Sequence, residues 1–425
     1  MALRPWVRFW DSVFCSQLNS RKYWKLDGDD LLEIDKLLDF LGKGRKKAAL
    51  ILEDGMRFDG NSIGVEGFSI GEVVFNTSIT GYQEILSDPS YCNQLVTLTY
   101  PHIGNVGCNS VDMESYKTHL SGLIIKHISS TYHNHRAEES LQNFLKRNRI
   151  VGIENIDTRK LTLHLRKNGA KNGIIVVESA DIDFESQDVE KFAQERLSSF
   201  PGITGKSLIE QVSGLKEEDF SKDFVPNSMR QKEGFVVLVY DLGVKRNIVK
   251  TLMGLGCSVK IVDSGTKFAD IKTLGVSGIV FSNGPGDPEP CVEAIKFAQL
   301  AIKDRMPCLG ICLGHQIISL ALGGKTVKMA VGHHGANHPV VNLKTGKIFI
   351  TSQNHGFVVD EQQFEEIAEI THRSLFDGTI QGYRLKKLPV FAFQGHPEGC
   401  PGPQDIEEIF EDFLTSIEQK GEMLK

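Results

Sequence analysis

A predicted strand, a Gly-x-Cys-x-Gly turn and a predicted helix follow one another between Met306 and Leu322. The apolar run Pro307–Ile311 predicts a buried strand, and a helical pattern begins at His315. In the turn between them, flanking glycines let the backbone pass sharply and lift the middle side chain, Cys312, out of the sheet. A cysteine at a helix N-terminus favours the thiolate, so we expect a nucleophile. A buried structural cysteine beside a turn is the alternative.

Strands and helices alternate around this turn from about residue 234 to residue 420. Further apolar strands are predicted at Phe235–Tyr240, Ser258–Val262 and Gly278–Phe281. This alternation predicts a doubly wound parallel sheet, in which sites form beyond the carboxyl ends of the strands. Gly284-Pro-Gly286 and Cys312 both fall at such ends. The glycines could aim backbone N–H groups at an oxyanion near Cys312; a tight turn explains the same residues when they are taken alone.

Histidines that could act as the base lie in three places, all expected in loops. The run His333–His338 contains three histidines, but no carboxylate or cysteine completes a familiar ligand spacing, so no metal site is predicted. His355 is expected in a turn after the strand Lys347–Thr351. His396 follows a strand directly, and Glu398 stands two residues later, where a carboxylate can orient an imidazole. A solvated glutamate beside a histidine is the simpler reading of that pair.

Length and composition predict two soluble domains. The chain has 425 residues and a net charge of −6, which argues against general nucleic-acid binding. No apolar run is long enough to span a bilayer, so no membrane association is expected. The eight cysteines are scattered without a secretory signal, which is typical of reduced thiols in a cytosol-like compartment.

The rest of the chain divides into an N-terminal extension (1–47), a first domain (48–190) and a linker (191–233). The extension holds all three tryptophans and is basic up to Lys25, which weakly resembles an organelle transit peptide. An ordinary poorly ordered extension fits as well. A helix is predicted between Leu31 and Leu41. Strands and polar, glycine-bearing loops alternate in the first domain, so we expect a β-rich, mixed α/β fold.

Motifs of the first domain resemble the small subunit of bacterial-type carbamoyl-phosphate synthetase. The resemblance is carried by the runs Thr80–Tyr91, Leu98–Gly107, Asp157–Thr162 and Arg166–Gly173. In that family the serine of the Asp-Pro-Ser-Tyr sequence binds glutamine, a role that would fall on Ser90. A turn residue is the structural alternative. The resemblance also implies that this domain mainly docks a large partner subunit.

Motifs of the second domain resemble class I glutamine amidotransferases. The runs Gly310–Gln316 and Gly395–Glu398 look like the catalytic triad of that family. The nucleophile, the base and acid, and the orienting carboxylate would be Cys312, His396 and Glu398. The resemblance implies that glutamine contacts Gly284, Gly286, Leu313, Gln316, Asn354, Gly356 and Phe357.

Other runs narrow the resemblance to carbamoyl-phosphate synthetase, namely Gly332–Pro339 and Ser374–Thr379. The resemblance covers roughly residues 47 to 418. One departure is Cys400, where the family more often carries a small residue; it places a second thiol near the site.

The resemblance implies a glutaminase subunit that hydrolyses L-glutamine through a Cys312 thioester. Ammonia would pass through an internal channel to a large subunit that makes carbamoyl phosphate from bicarbonate and ATP, for arginine and pyrimidine synthesis. No cofactor is expected on this chain, since it has no ATP-binding motif; ATP and Mg²⁺ are expected on the large subunit.

Two other functions stay open at this stage. The first is another amidotransferase subunit, of the anthranilate or GMP synthase kind, against which the first domain argues. The second is a non-catalytic regulatory subunit, against which the intact triad argues. The expected compartment is the cytoplasm, or an organelle if residues 1–47 act as a transit peptide.

Overall fold

The computed structural model describes residues 45–182, 184, 188–216, 220, 234–362 and 364–423. The N-terminal extension up to residue 44, with its predicted helix, lies outside the described residues, and so does most of the polar run after Lys216. Within the described part of the chain, no helix is long and apolar enough to cross a membrane.

The first domain is a closed β-barrel with a small two-stranded sheet beside it. The barrel order is β1-β2-β8-β6-β4-β3-β9, and β5 pairs with β7. The strands are β1 (Lys47–Leu52), β2 (Arg57–Ser62), β3 (Gly67–Asn76), β4 (Gln94–Leu98), β5 (His102–Ile103), β6 (Gly122–Ile124), β7 (His127–Ile128), β8 (Val151–Glu154) and β9 (Lys171–Val177). The prediction of a β-rich mixed domain is therefore confirmed, but β2 was not predicted because its sequence Arg-Phe-Asp-Gly-Asn-Ser is mostly polar.

Strand β1 has apolar residues on both faces because both faces are covered. Leu50 and Leu52 point into the barrel core, whereas Ala49 and Ile51 belong to a second cluster outside it. This alternation follows the two-residue period of a strand. The outer cluster also contains Ala193, from a helix that packs on the barrel. A strand that is buried on both faces has a continuous apolar sequence. The sequence therefore predicts β1 directly.

Short helices complete the first domain and extend it past the expected boundary. They are α1 (Tyr82–Ser87), α2 (Leu141–Arg147), α3 (Thr158–Asn168) and α4 (Val189–Leu197). The boundary expected at residue 190 falls inside α4, whose Ala193 and Leu197 pack with the barrel strands. The expected linker therefore begins with an ordered element of the first domain. It also contains α5 (Ile209–Val212).

The second domain is built on a nine-stranded sheet within the described residues, in the order β11-β10-β12-β13-β18-β17-β16-β14-β15. Its strands are β10 (Val236–Tyr240), β11 (Ser258–Val262), β12 (Gly278–Phe281), β13 (Cys308–Ile311), β14 (Thr326–Asn342), β15 (Ile348–Val359), β16 (Glu369–Ser374), β17 (Ile380–Arg384) and β18 (Val390–Phe393). The first five strands of that order are parallel. The helices are α6 (Arg246–Gly254), α7 (Val292–Lys303), α8 (Leu313–Ala321), α9 (Phe364–Ile367) and α10 (Glu408–Met423). The predicted doubly wound α/β domain is confirmed.

Strands β12, β13 and β18 are parallel neighbours at the centre of this sheet. Their carboxyl ends therefore meet at one edge, and three predicted site segments follow them directly. These segments begin at Ser282, Cys312 and Gln394. The chain topology alone thus gathers the glycine turn, the cysteine and the histidine.

The antiparallel half of the sheet corrects two sequence predictions. The run His333–His338 lies inside β14, and Gln353–Phe357 lies inside β15, whereas both had been expected in loops or turns. These stretches are polar and rich in glycine, so they lack the apolar alternation that marks a strand. They are held as strands by pairing with each other, interrupted by register shifts on either side of His333–Gly335.

The barrel and the sheet pack together, since Lys46–Lys425 forms one compact unit. The backbone N–H of Thr77 donates to the carbonyl of His334 at 3.2 Å. Lys328 Nζ lies 2.5 Å from Glu72 Oε1. The end of β3 and the residue that follows it therefore lie against β14 of the second domain, whose His334 lines the predicted site.

Candidate active site

Cys312 stands at the turn between β13 and α8 with strained backbone angles, φ 54° and ψ −104°. Such a conformation is unfavourable for a residue with a Cβ and is typical of functional turns. The neighbouring glycines are required by space: a Cβ on Gly314 would lie 2.1 Å from the carbonyl oxygen of Phe281, and one on Gly310 would lie 2.6 Å from that of Gly314. The Gly-x-Cys-x-Gly pattern therefore permits α8 to start directly against the sheet.

The Cys312 thiol is buried among polar atoms. Its Sγ lies 3.5 Å from the carbonyl oxygen of Asn354 and 3.8 Å from Nε2 of Gln394. Cys312 is also the residue that precedes the first turn of α8, whose free N–H groups favour a negative charge. The Gln394 amide donor and the start of α8 suit a sulfur that acquires negative charge during a reaction.

His396 and Glu398 form a buried ion pair next to the cysteine. His396 Nδ1 lies 2.7 Å from Glu398 Oε1, which leaves the other ring nitrogen, Nε2, without a partner among the described residues. Burial alone would lower the pKa of His396, but the Glu398 carboxylate and the nearby Cys312 together outweigh burial and hold the pKa well above the ordinary value. The imidazole is therefore poised to carry a proton.

Lys245 completes this charge arrangement from the loop after β10. Its Nζ donates to Glu398 Oε1 at 2.9 Å and to the carbonyl of Gly399 at 2.9 Å. Burial would raise the pKa of Glu398, but Lys245 and His396 together lower it to about 2, so the carboxylate stays ionised. A buried carboxylate held between two cations is fixed in position as well as in charge.

The glycine turn after β12 lies opposite Cys312. A Cβ on Gly284 would lie 2.1 Å from the carbonyl oxygen of Leu242, and Gly286 adopts φ +89°, so both positions favour glycine. Leu313 begins α8, where a first-turn N–H has no partner within the helix. The backbone N–H groups of Gly286 and Leu313 are thus the donors available for an oxyanion.

A cavity opens above the cysteine, and most predicted glutamine-binding residues line it. Its walls are formed by Ser90, Gln94, Ile203, Gly284, Pro285, Gly286, Cys312, Gln316, His334, Asn354, His355, Gly356 and Phe357. Leu313 is the one predicted glutamine contact that does not line the cavity. Its side chain therefore does not face a ligand there, and its backbone N–H is the group that can contact glutamine. Ser90 and Gln94 come from the first domain, so both domains build the cavity.

Hydrogen bonds across the domain boundary fix the cavity walls. Asn354 Nδ2 donates to Asp88 Oδ2 at 2.8 Å, and His334 Nδ1 lies 2.8 Å from Asn354 Oδ1. Asp88 also accepts from the backbone N–H of Ser90 at 2.9 Å, while Asn283 Nδ2 donates to Ser90 Oγ at 3.0 Å. Ser90 and Asn354 are therefore held by one connected network.

Gln316 is held by a separate pair of contacts. Its Nε2 donates to the carbonyl of Phe357 at 2.7 Å and to Gln394 Oε1 at 3.1 Å. These bonds leave the side-chain carbonyl of Gln316 as the group that can face a ligand in the cavity.

Sequence reasoning missed several polar residues that support this site, namely Asp88, Lys245, Asn283, His334 and Gln394. Lys245, Asn283 and Gln394 follow the parallel strands β10, β12 and β18 at the same sheet edge as Cys312, so the rule for parallel sheets could have found them. Asp88 and His334 carried no such signal, because their roles depend on contacts between the two domains.

The rings of the histidine run contact neighbouring histidines and a carboxylate. His333 lies 4.9 Å from His338 and 5.0 Å from His355 between ring centroids, and its Nε2 lies 2.9 Å from Asp377 Oδ2. Among the described residues, no group of three or more His, Cys, Asp or Glu side chains has the geometry to hold a metal ion.

Comparison with known proteins matches both domains. The family model described as carbamoyl-phosphate synthase small chain, CPSase domain, matches residues 50–175, and the model described as glutamine amidotransferase class-I matches residues 238–416. The carbamoyl phosphate synthase small chain of Neisseria meningitidis is 50% identical over 377 residues, covering 87% of this chain and 97% of the relative.

Similar small chains from two other bacteria match over nearly the same range. The one from Vibrio cholerae is 48% identical, covering 88% of this chain and 99% of the relative. The one from Salmonella typhimurium is 46% identical, covering 89% and 100% respectively.

Proposed function

The chain belongs to the family of carbamoyl-phosphate synthase small chains, glutamine-hydrolysing subunits of that enzyme, and we propose that Cys312, His396 and Glu398 carry out the hydrolysis. The observation that carries this proposal is the assembly of a strained cysteine, an ion-paired histidine and a buried glutamate at one sheet edge. The cavity beside them has the amide and hydroxyl groups that a polar amide substrate needs.

The first half of the reaction forms a thioester. Cys312 gives its proton to His396, and Sγ attacks the carbonyl carbon of the glutamine side chain, so a C–S bond forms and the carbonyl oxygen becomes an oxyanion. Backbone N–H groups of Leu313 and Gly286 stabilise that oxyanion. His396 then protonates the departing nitrogen, the C–N bond breaks and ammonia leaves.

The second half of the reaction hydrolyses the thioester. Neutral His396 removes a proton from water, and the resulting hydroxide attacks the acyl carbon. The C–S bond breaks, which releases glutamate and returns Cys312 as a thiolate beside the protonated imidazole. Glu398, held by Lys245, keeps His396 oriented and stabilises its charge in both halves.

Selection of L-glutamine is assigned to both domains. Ser90 from the first domain and Gln316, Asn354, Gly356 and Phe357 from the second surround the position above Cys312. Their hydrogen-bonding groups would be left unpaired by a substrate that lacked matching polar atoms, and that penalty gives selectivity.

The ammonia is proposed to pass through an internal channel to a large chain. That partner would bind ATP and Mg²⁺ and make carbamoyl phosphate from bicarbonate, for arginine and pyrimidine synthesis. The first domain is proposed to provide most of the docking surface. We place the complex in the cytoplasm, with an organelle as the alternative if residues 1–47 direct transport. A fluorescent fusion of residues 1–47 distinguishes the two locations.

The Cys312→Ser variant tests the proposed chemistry. Loss of the thiolate should reduce glutamate release from glutamine by about 10³-fold or more, measured with the full chain and its large chain. Carbamoyl-phosphate synthesis from free ammonia should persist, because that reaction does not use the thiol. Cys257→Ser is the matched control, since Cys257 is a buried thiol near the far end of α6. Unchanged glutamate release by Cys312→Ser would refute the proposal.

A further inference from the structure

Helix α6 starts beside the triad but has no capping side chain of its own. The residue before its first turn is Lys245, whose ammonium has no acceptor for a backbone N–H and instead donates to Glu398. The first turn also contains no acidic residue. The N–H groups at this end of the helix therefore need partners from elsewhere.

Glu114 of the first domain provides those partners. Its carbonyl oxygen accepts from the backbone N–H of Arg246 at 2.9 Å, and its Oε2 accepts from the backbone N–H of Asn247 at 3.3 Å. Asn247 Nδ2 donates to the other carboxylate oxygen, Oε1. Ser87 in turn holds Glu114, because its hydroxyl accepts from the Glu114 backbone N–H at 2.9 Å. A residue from the barrel domain thus caps a helix of the amidotransferase domain.

Glu114 is also a second buried carboxylate near the Lys245 ammonium. Both side chains are almost fully buried. Burial would lower the pKa of Lys245, but Glu398 and then Glu114 outweigh it and raise the pKa. Burial raises the pKa of Glu114 to about 7, with Lys245 and Asn247 acting in the opposite direction and Glu398 in the same one. Glu114 therefore binds the two residues that directly follow Lys245, while the Lys245 ammonium itself donates to Glu398.

The other charged or titratable groups of this cluster are few. Asp88 and Cys400 also raise the pKa of Lys245. Glu84 in turn raises the pKa of Cys400. Arg246 contributes its backbone N–H, whereas its guanidinium packs over the ring of Phe220. Glu114 is thus the acid of the barrel domain that both binds the start of α6 and acts on Lys245.

We propose that Glu114 is a positioning residue for glutamine hydrolysis: it fixes the start of α6 and so the place of Lys245, and through Lys245 it positions Glu398 and His396. This proposal rests on the function proposed above for the triad. By this arrangement, a shift of the barrel domain relative to α6 changes the geometry of the triad without touching glutamine.

Three variants of the full chain, assayed with its large chain, test this role. Glu114→Gln keeps the shape and removes the charge, whereas Glu114→Asp keeps the charge and shortens the reach. Glu154→Gln is the matched control, because Glu154 is a buried carboxylate of the same barrel that accepts from the backbone N–H of Ile128 at 2.8 Å. The readouts are kcat and KM for glutamine between pH 6 and pH 9, normalised to thiols titrated by an alkylating glutamine analogue.

The expected result separates charge from shape. Glu114→Gln should lower kcat about ten-fold with KM changed less than two-fold, because the glutamine-binding side chains are untouched. Because burial raises the pKa of Glu114 to about 7, we expect activity to rise with pH in that region in the parent chain and in Glu114→Asp, and we expect no such rise in Glu114→Gln. Glu154→Gln should match the parent chain.

Two results would overturn the proposal. One is a normalised kcat and pH profile of Glu114→Gln equal to those of the parent chain. The other is an equal loss in Glu154→Gln, which would mean that any buried charge change lowers activity. Failure of the triad assignment is recognised separately, because it would appear as unchanged activity of Cys312→Ser.

Discussion

His396 and the strand histidines, by which we mean His334, His338 and His355, are all buried in the second domain, yet they have opposite protonation behaviour. Burial lowers the pKa of His334 to about 4 and that of His338 to about 3, and it lowers that of His355 well below 6.5. The pKa of His396 is instead raised, because Glu398 and Cys312 together outweigh burial.

The difference lies in the partners, since exposure is the same. Glu398 contacts His396 at 2.7 Å, and Lys245 keeps that carboxylate ionised. His334 faces the amide oxygen of Asn354, and His355 Nδ1 lies 2.9 Å from the carbonyl of Phe357. Neutral partners cannot balance an imidazolium, so these rings serve as rigid hydrogen-bonding groups, whereas His396 can hold a proton.

Removal of the Glu398 charge should make His396 behave like the strand histidines. The Glu398→Gln variant leaves an imidazole whose pKa burial lowers, and it leaves Lys245 without its ion-pair partner. We expect kcat for glutamine hydrolysis to fall about 10³- to 10⁴-fold, measured as glutamate release. Asp377→Asn is the control, because it removes the carboxylate that faces His333 at 2.9 Å. A comparable loss in the control would show that any histidine–carboxylate pair here is required.

Replacement of Lys245 should test how strongly the charged region depends on its cation. Lys245→Met leaves the Glu398 carboxylate buried with one cation fewer, which should cost about 3–5 kcal/mol of unfolding free energy in urea titrations. The double variant Lys245→Met with Glu398→Gln removes both charges and should recover a large part of that loss. If the two single losses simply add in the double variant, the pair is not coupled.

Acid should destabilise the protein partly through the strand histidines. Their pKa values in the folded protein lie below the value of 6.5 for an exposed histidine, so their contribution is fully present above 6.5 and is lost as pH falls toward the folded value. His338→Asn should flatten the decline in unfolding free energy between pH 6.5 and pH 5. The expected change is about 1 kcal/mol per pH unit for one proton.

Urea midpoints at several pH values measure this decline. His372→Asn is a useful comparison, because burial also lowers the pKa of His372 to about 4 outside the His333–His338 run. An unchanged pH slope in both variants would contradict the assignment of neutral buried rings.

The sequence identified the parts of the site that depend on neighbouring residues. Cys312 was found because glycines, an apolar strand and a helix follow one another within a few residues, and those local features set the turn whatever the rest of the chain does. The pairing of His396 with Glu398 is also local, since only Pro397 separates them, and the resemblance to class I glutamine amidotransferases selected it from the candidate histidines. The doubly wound sheet followed from the alternation of strands and helices.

Predictions from local pattern failed where pairing with distant residues decides the structure. The histidine run and the segment Gln353–Phe357 have no apolar alternation, and only their mutual pairing in β14 and β15 makes them strands. Strand β2 is likewise a polar segment held by its neighbours in the barrel.

By itself, then, the amino-acid sequence determined the fold class, the nucleophile turn and the histidine–glutamate pair. Only the tertiary structure decided what surrounds them. Lys245 meets Glu398 across 153 positions of sequence, and Asp88 meets Asn354 across 266. Contacts at such separations leave no local periodicity, because the Lys245–Glu398 pair forms only when the sheet assembles and the Asp88–Asn354 pair only when the barrel packs on the sheet.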